Sequence, residues 1–305
     1  MTLHSLSLSN AICPIRSNVS LAEFTSYRVG GEARWYAEPR DLAGLKASID
    51  WWRERDLPLT ILGAGSNLLI SDRGLPGLVI NTRRLRSSSF DAETGTITAA
   101  AGEPLPKLAW RAAKRGWKGL EWAVGIPGTV GGAVVMNAGA HTSCIADRLV
   151  RAIVLNPDGE IETLAREDLH YSYRTSRLQG DNRLVIEATL QLDPDSTEEE
   201  MMALTTRNLH HRKNTQPYDR PSCGSVFRNP KPKFAGALIE ELGLKGYRIG
   251  GALVSPLHAN FIVNIGEAKA SDILHLIRHV QEQVSDRFSL WLEPEVKILG
   301  EFEGI

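Results

Sequence analysis

Two glycine-dense stretches stand out as places where bare backbone could meet a ligand. The first is Gly63, Ala64, Gly65, Ser66 and Asn67, after the strand-like run Pro58 to Leu62. The N–H groups of so tight a loop, with the Ser66 hydroxyl and the Asn67 amide, suit an anion. Leu68 stands where a dinucleotide fingerprint has its third glycine, and no helical pattern opens after it, which disfavours a Rossmann unit. A plain turn explains this loop at least as well. The second stretch is Gly125-Ile126-Pro127-Gly128-Thr129-Val130-Gly131-Gly132-Ala133, continued by Asn137-Ala138-Gly139-Ala140-His141. Small residues admit close approach, and N–H groups freed by irregular geometry hold phosphate. A packed glycine turn has the same composition, but two such loops in one domain favour a dinucleotide.

Reactive side chains gather elsewhere. Tyr171-Ser172-Tyr173-Arg174 ends in a guanidinium able to fix a carboxylate through two hydrogen bonds, although a surface arginine is the simpler account. Ser225 follows Gly224 in Cys223-Gly224-Ser225-Val226-Phe227-Arg228-Asn229-Pro230, which is not the Gly-x-Ser-x-Gly of a hydrolase elbow. Glu293 and Glu295 stand two apart on an expected terminal strand, and so on one side of it if it is regular. The pairs His210-His211 and His275/His279 lack a third ligand in register, and the three cysteines (Cys13, Cys144, Cys223) are far apart, so no metal site or disulfide framework is expected.

Elements must position these groups. A helix is expected over 41–55, capped by Asp41, with Leu42, Leu45, Ile49 and Trp52 on one face. Strands are expected at 58–62, 77–80 and 96–101, and a basic helix at about 104–116. A hairpin follows, Leu149 to Leu155 and Glu160 to Leu164, joined by Asn156-Pro157-Asp158-Gly159. Another strand spans Arg183 to Leu192. Asp193-Pro194-Asp195 breaks the pattern near residue 200, and Ser196 with Glu199 forms a capping box that opens a helix. Beyond lie strands at 225–228, 249–254, 260–265 and 291–299. Between them come a helix over 235–242 closed by Gly243 and one over 271–287 capped by Ser271, with Ile273, Leu276, Ile277, Val280 and Val284 inward. The class is α+β.

Composition sets the outer limits. At 305 residues the chain has about two domains' length. Its 35 Lys and Arg against 36 Asp and Glu leave a net charge of −1, which excludes a dedicated nucleic-acid coat or polybasic membrane anchor. That average hides a basic stretch, because residues 207–248 hold nine basic side chains against three acidic ones. The first ten residues show no secretory pattern, and no run approaches the roughly 18 apolar residues of a membrane span, so a reducing cytoplasm is expected.

In order along the chain, six motifs resemble those of the UDP-N-acetylenolpyruvoylglucosamine reductases. They are Thr25-Ser26-Tyr27-Arg28-Val29-Gly30-Gly31, Gly63-Ala64-Gly65-Ser66-Asn67 and Gly125-Ile126-Pro127-Gly128-Thr129-Val130-Gly131-Gly132. Tyr171-Ser172-Tyr173-Arg174-Thr175-Ser176, Gly224-Ser225-Val226-Phe227-Arg228-Asn229-Pro230 and Leu292-Glu293-Pro294-Glu295-Val296 complete the set. The resemblance spans about residues 24–300 and is to the shorter structural type of the family. It implies an FAD-binding domain of the vanillyl-alcohol-oxidase type over 1–200, in lobes of about 20–75 and 76–200. A substrate-binding domain over 201–290 and a final strand over 291–305 returning to the FAD domain are implied as well.

The resemblance implies non-covalent FAD on the two glycine stretches (Gly63, Ala64, Gly65, Ser66, Asn67; Gly125, Pro127, Gly128, Thr129, Gly131, Gly132) and NADPH as co-substrate. It implies catalytic roles for Arg174, Ser225 and Glu295, and contacts from Tyr173, Arg228, Asn229 and His141 to a UDP-sugar. His141-Thr142 depart from the pattern, which has an aromatic residue or histidine and then glycine. A monomer without nucleic-acid or membrane partners is expected. Two other readings stay open: a different flavin oxidase or dehydrogenase of this fold acting on a sugar or alcohol, with His141 or Cys144 as a covalent flavin anchor, and a non-catalytic nucleotide-binding module.

Overall fold

The structure is a computed structural model and describes residues 13–303; the first ten residues, read above for a leader, lie outside the described residues. Two compact units are assembled from separate stretches of chain. Residues 13–17, 35–64 and 77–211 form the first unit, and residues 18–34, 65–76 and 212–303 the second.

In the first unit, helix α1 (Leu42–Arg53) starts where Asp41 accepts the Gly44 N–H at 2.8 Å. Its buried side includes Leu45, Ile49 and Trp51, whereas Leu42, expected inward, is 38% exposed. These residues join Leu78 and Ile80 in a core beside a sheet ordered Arg16–Ser20, Glu32–Ala37, Leu75–Asn81 and Leu59–Leu62, which lies largely in this unit. Helix α2 (Leu105–Ala113) buries Leu105, Leu108, Ala109 and Ala112, the i, i+3, i+4, i+7 pattern. These side chains pack with Ile97, Val154 and Leu190 of a five-stranded sheet ordered Ile161–Ala165, Leu149–Leu155, Leu184–Gln191, Thr96–Ala100 and Ser88–Asp91. Each fully buried aliphatic side chain contributes about 1.5–3 kcal/mol. The expected hairpin is present, with Leu155 opposite Ile161 and its turn closed by Gly159 N–H to Asn156 C=O at 3.0 Å.

Helix α3 (Val130–Met136) arises inside the second glycine stretch, where the sequence suggested only a loop. Helix α4 (Glu198–Thr215) opens one residue later than expected: Thr197 Oγ1 accepts from Glu200 N–H at 3.2 Å, and the Glu200 carboxylate accepts from Thr197 N–H at 3.1 Å. Either frame offers a hydroxyl and a glutamate three apart, so sequence could not choose between them.

The second unit packs helices α5 (Ala235–Glu241) and α6 (Ala270–Phe288) with the antiparallel strands Arg248–Ile249, Ala252–Val254 and Ile262–Asn264. The five inward residues expected on α6 are all buried. Its cap is not Ser271. Asp72 accepts from Ala270 N–H at 2.8 Å and Ser271 N–H at 2.9 Å, a carboxylate placed against the positive helix end from 198 residues away. Strands Leu68–Ile70 and Lys297–Leu299 pair in parallel. The expected strand over 291–299 is therefore regular only from Lys297, and residues 225–228 form no strand beyond a single bridge between Phe227 and Pro294. Side-chain and irregular backbone bonds hold that stretch instead.

Candidate active site

The glycines serve close packing first. A Cβ at Gly63 would stand 2.8 Å from Thr129 Oγ1, so the two glycine stretches touch inside the first unit and Thr129 requires a bare Gly63. In the second unit Gly65, at φ +65°, lies against the Phe24 carbonyl and accepts Ser26 N–H at 3.0 Å, joining Ser66 and Asn67 to the Thr25–Gly31 motif. The first N–H groups of α3 are already bonded: Val130 to Glu103 C=O at 2.9 Å, Gly131 to Ala101 C=O at 2.9 Å, and Gly132 to Thr129 Oγ1 at 3.4 Å. The idea that irregular geometry frees these N–H groups for phosphate does not hold at Gly131 and Gly132. Gly131 instead lets α3 approach Ala101. Gly132 is exposed, and a Cβ there would meet nothing nearer than Thr129 Oγ1 at 3.7 Å, so ligand atoms can reach this backbone.

The carbonyls near the end of α3 build the Arg174 turn. Tyr171 OH donates to Val134 C=O at 3.0 Å, Ser176 Oγ to Val135 C=O at 2.6 Å, and Gln179 Nε2 to Val135 C=O at 3.2 Å. Ser172 and Thr175 exchange both backbone bonds at 3.1 Å, leaving Tyr173 and Arg174 at the tip. Arg174 holds φ +57°, a left-handed conformation costly for a side chain with Cβ. Its Nη2 donates to Gly139 C=O at 2.7 Å, and its guanidinium carbon lies 5.1 Å from the Tyr173 ring centroid. Gly139 belongs to a two-residue hairpin whose tip is His141 (φ +50°) and Thr142 (φ +65°). Two left-handed residues between paired strands make the tight turn that favours glycine, which explains the glycine of the family pattern at Thr142. The structure thus brings Tyr173, Arg174 and the His141 hairpin together. The His141 ring also meets that of His211, centroids 5.7 Å apart.

Ser225 and Glu295, 70 positions apart in sequence, lie on adjoining backbone of the second unit. Glu295 N–H donates to Val226 C=O at 2.7 Å, and Arg228 N–H donates to Glu293 C=O at 2.9 Å. Asn67 Nδ2 donates to Glu295 C=O at 3.0 Å, so a residue expected on the cofactor also fixes a catalytic candidate. Arg228 stands 3.5 Å from the Glu293 carboxylate, and Asn229 uses its side-chain oxygen to accept Ala235 N–H at 3.1 Å where α5 begins. Gly224 adopts φ +77° with nothing near its Cβ position, so glycine is needed there for conformation rather than space.

Burial pushes the Cys223 thiol up to about 12, and its Sγ donates to Leu68 C=O at 3.3 Å. Burial and then Asp147 raise the Cys144 thiol as well. Neither is a ready thiolate. No group of three or more histidine, cysteine or acidic side chains among the described residues could hold a metal ion. Asn137, Tyr171, Ser176 and Gln179 support the Arg174 turn; the first three stood in the motifs without an assigned role, and Gln179 was not singled out from sequence. The available signal was the polar residues flanking Tyr173-Arg174.

Residues 33–165 match the FAD binding domain family, and residues 216–299 match the family described as the C-terminal domain of UDP-N-acetylenolpyruvoylglucosamine reductase. The chain is thus an α+β flavoprotein with an FAD-binding domain and a second domain after it. The UDP-N-acetylenolpyruvoylglucosamine reductase of Synechocystis sp. is 64% identical over 305 residues, covering 99% of this chain and 96% of the relative. That of Nostoc punctiforme is 64% identical over 297 residues, covering 97% and 90%. The solved reductase (MurB) of Thermus caldophilus superposes with a TM-score of 0.80 at 37% identity, over 94% of this chain and 100% of that one. The chain belongs to the UDP-N-acetylenolpyruvoylglucosamine reductase family.

Proposed function

We propose that this enzyme reduces UDP-N-acetylglucosamine enolpyruvate to UDP-N-acetylmuramate with NADPH and FAD, in the synthesis of peptidoglycan precursors. The carrying observation is the Glu295 to Val226 bond of 2.7 Å, which sets a carboxyl-bearing residue beside the backbone that carries Ser225. The glycine stretches suit a dinucleotide in that Gly132 leaves exposed backbone without a side chain and Thr129 stands three residues before it, while the Gly63–Asn67 stretch carries the polar groups of Ser66 and Asn67. When bound, FAD supplies hydride transfer from NADPH to the enol ether.

The chain's own residues handle charge and the proton. Hydride addition pushes negative charge toward the substrate carboxylate, where Arg174 offers a planar, permanently charged fork. Glu295 supports the same charge only as a protonated carboxyl or by sharing a proton. Ser225 Oγ gives a proton to the carbon next to the carboxylate, a role that needs cationic surroundings because a serine hydroxyl is a weak acid. Tyr173, Arg228, Asn229 and His141 are assigned to the UDP-sugar. The division into an FAD domain over 1–200 and a substrate domain over 201–290, with 291–305 as a returning strand, is likewise proposed. So is a cytoplasmic monomer without nucleic-acid partners, consistent with the net charge of −1. No helix among the described residues is long and apolar enough to cross a membrane.

Steady-state assay and denaturation test this function together. Expected are NADPH consumption that depends on the enolpyruvyl sugar nucleotide, a product heavier by two hydrogens, and yellow flavin released on unfolding. The raised thiol of Cys144 argues against a flavin thioether. Flavin retained by the denatured chain, with no substrate-dependent NADPH consumption, contradicts the proposal and supports a different oxidase or dehydrogenase.

A further inference from the structure

Asn260 is buried, 3% exposed, in the otherwise apolar run Ala259-Asn260-Phe261-Ile262-Val263. A polar side chain at such a place is retained only with its hydrogen bonds made. Its Oδ1 accepts Phe227 N–H at 2.9 Å and its Nδ2 donates to Phe227 C=O at 2.8 Å, so one amide pairs both backbone groups of one residue. Its own C=O accepts Val226 N–H at 2.9 Å, and its N–H donates to His258 Nδ1 at 3.2 Å. Thus the irregular stretch Ser225–Arg228 gains from Asn260 what a neighbouring strand would have provided.

The same stretch transmits that placement. Val226 C=O accepts Glu295 N–H at 2.7 Å, and Asn67 Nδ2 fixes Glu295 C=O from its other side at 3.0 Å. We infer that Asn260 is a positioning residue, setting Ser225 and Glu295 in register for proton delivery through its paired bonds to Phe227. This rests on the roles proposed above for Ser225 and Glu295. Without the amide, Phe227 N–H and C=O lose buried partners, and Ser225, two residues away, loses its fixed place. A shift of about 1 Å in a reacting group lowers a rate about 100-fold.

Anaerobic stopped-flow absorbance of the flavin separates the steps in the holoenzyme. Asn260→Ala is expected to leave flavin reduction by NADPH unchanged and to slow reoxidation by the enolpyruvyl substrate about 100-fold. In a Ser225→Ala background the same change is expected to slow reoxidation by far less than 100-fold, since only the placement of Glu295 is left to lose. A purely structural role would slow both half-reactions or multiply with Ser225→Ala, and either result overturns the inference. Should the alanine variant not fold, Asn260→Asp decides: it keeps the volume and the acceptor for Phe227 N–H but lacks the Nδ2 donor. Reoxidation at the parent rate in Asn260→Asp also overturns the inference. Slow reoxidation in Ser225→Ala beside normal reoxidation in the Asn260 variants refutes the positioning role alone. Normal reoxidation in Ser225→Ala removes the serine role itself, and the inference with it.

Discussion

At the scale of single residues, the proposed chemistry rests on side chains whose types were visible and whose neighbours were not. Arg174 is informative because its guanidinium is both charged and anchored, with Nη2 on Gly139 C=O at 2.7 Å. Lysine would keep the charge and lose the fork. Arg174→Lys is therefore expected to lower kcat for the enolpyruvyl substrate about 10²–10³-fold, with flavin reduction by NADPH intact in stopped-flow traces. Ser225→Ala is expected to slow substrate-driven reoxidation about 10²–10⁴-fold, the usual reach of general acid catalysis. Sequence offered Arg174, Ser225 and Glu295 as catalytic candidates through motif order. It could not show Asn67 bonding Glu295 across 228 positions, because such a contact follows from chain path and not from local pattern.

Among the elements, α3 shows why local propensity misled. Val-Gly-Gly-Ala-Val-Val-Met is a poor helix former, since each interior glycine costs about 1 kcal/mol and valine loses rotamer freedom. Tertiary contacts prevail: Thr129 caps it, Gly131 packs on Ala101, and its last carbonyls receive Tyr171, Ser176 and Gln179. By contrast α1, α2, α5, α6 and the Leu149–Leu155 hairpin were legible, because their apolar spacing and turn residues agree with their burial. Two stability measurements address this scale. Asp72→Ala removes both acceptors at the start of α6 and is expected to destabilise the protein by about 1–2 kcal/mol in urea unfolding; an unchanged midpoint would refute the capping role. Thr142→Gly relieves a left-handed β-branched residue and is expected to raise stability by about 0.5–1 kcal/mol, visible as a higher Tm.

Across the whole molecule, pH provides a further test. Burial, opposed by a backbone hydrogen bond and by Glu240 and aided by Lys245, holds the His258 imidazole below the ordinary histidine value of about 6.5. The unfolded chain takes up that proton near pH 6.5, whereas the folded chain does so only at lower pH. The contribution of His258 is thus fully present above pH 6.5 and declines as pH falls through its folded pKa. Urea midpoints should drop between about pH 7.5 and about pH 5.5, and less so in His258→Gln; an equal drop in both proteins would exclude His258 as a source. The central claim, a flavoenzyme coupling NADPH to an enolpyruvyl sugar nucleotide, is tested most directly by two anaerobic mixing steps on one sample. NADPH should bleach the flavin, and UDP-N-acetylglucosamine enolpyruvate should then restore its colour with formation of UDP-N-acetylmuramate. A flavin that NADPH bleaches but this substrate leaves reduced would contradict the account.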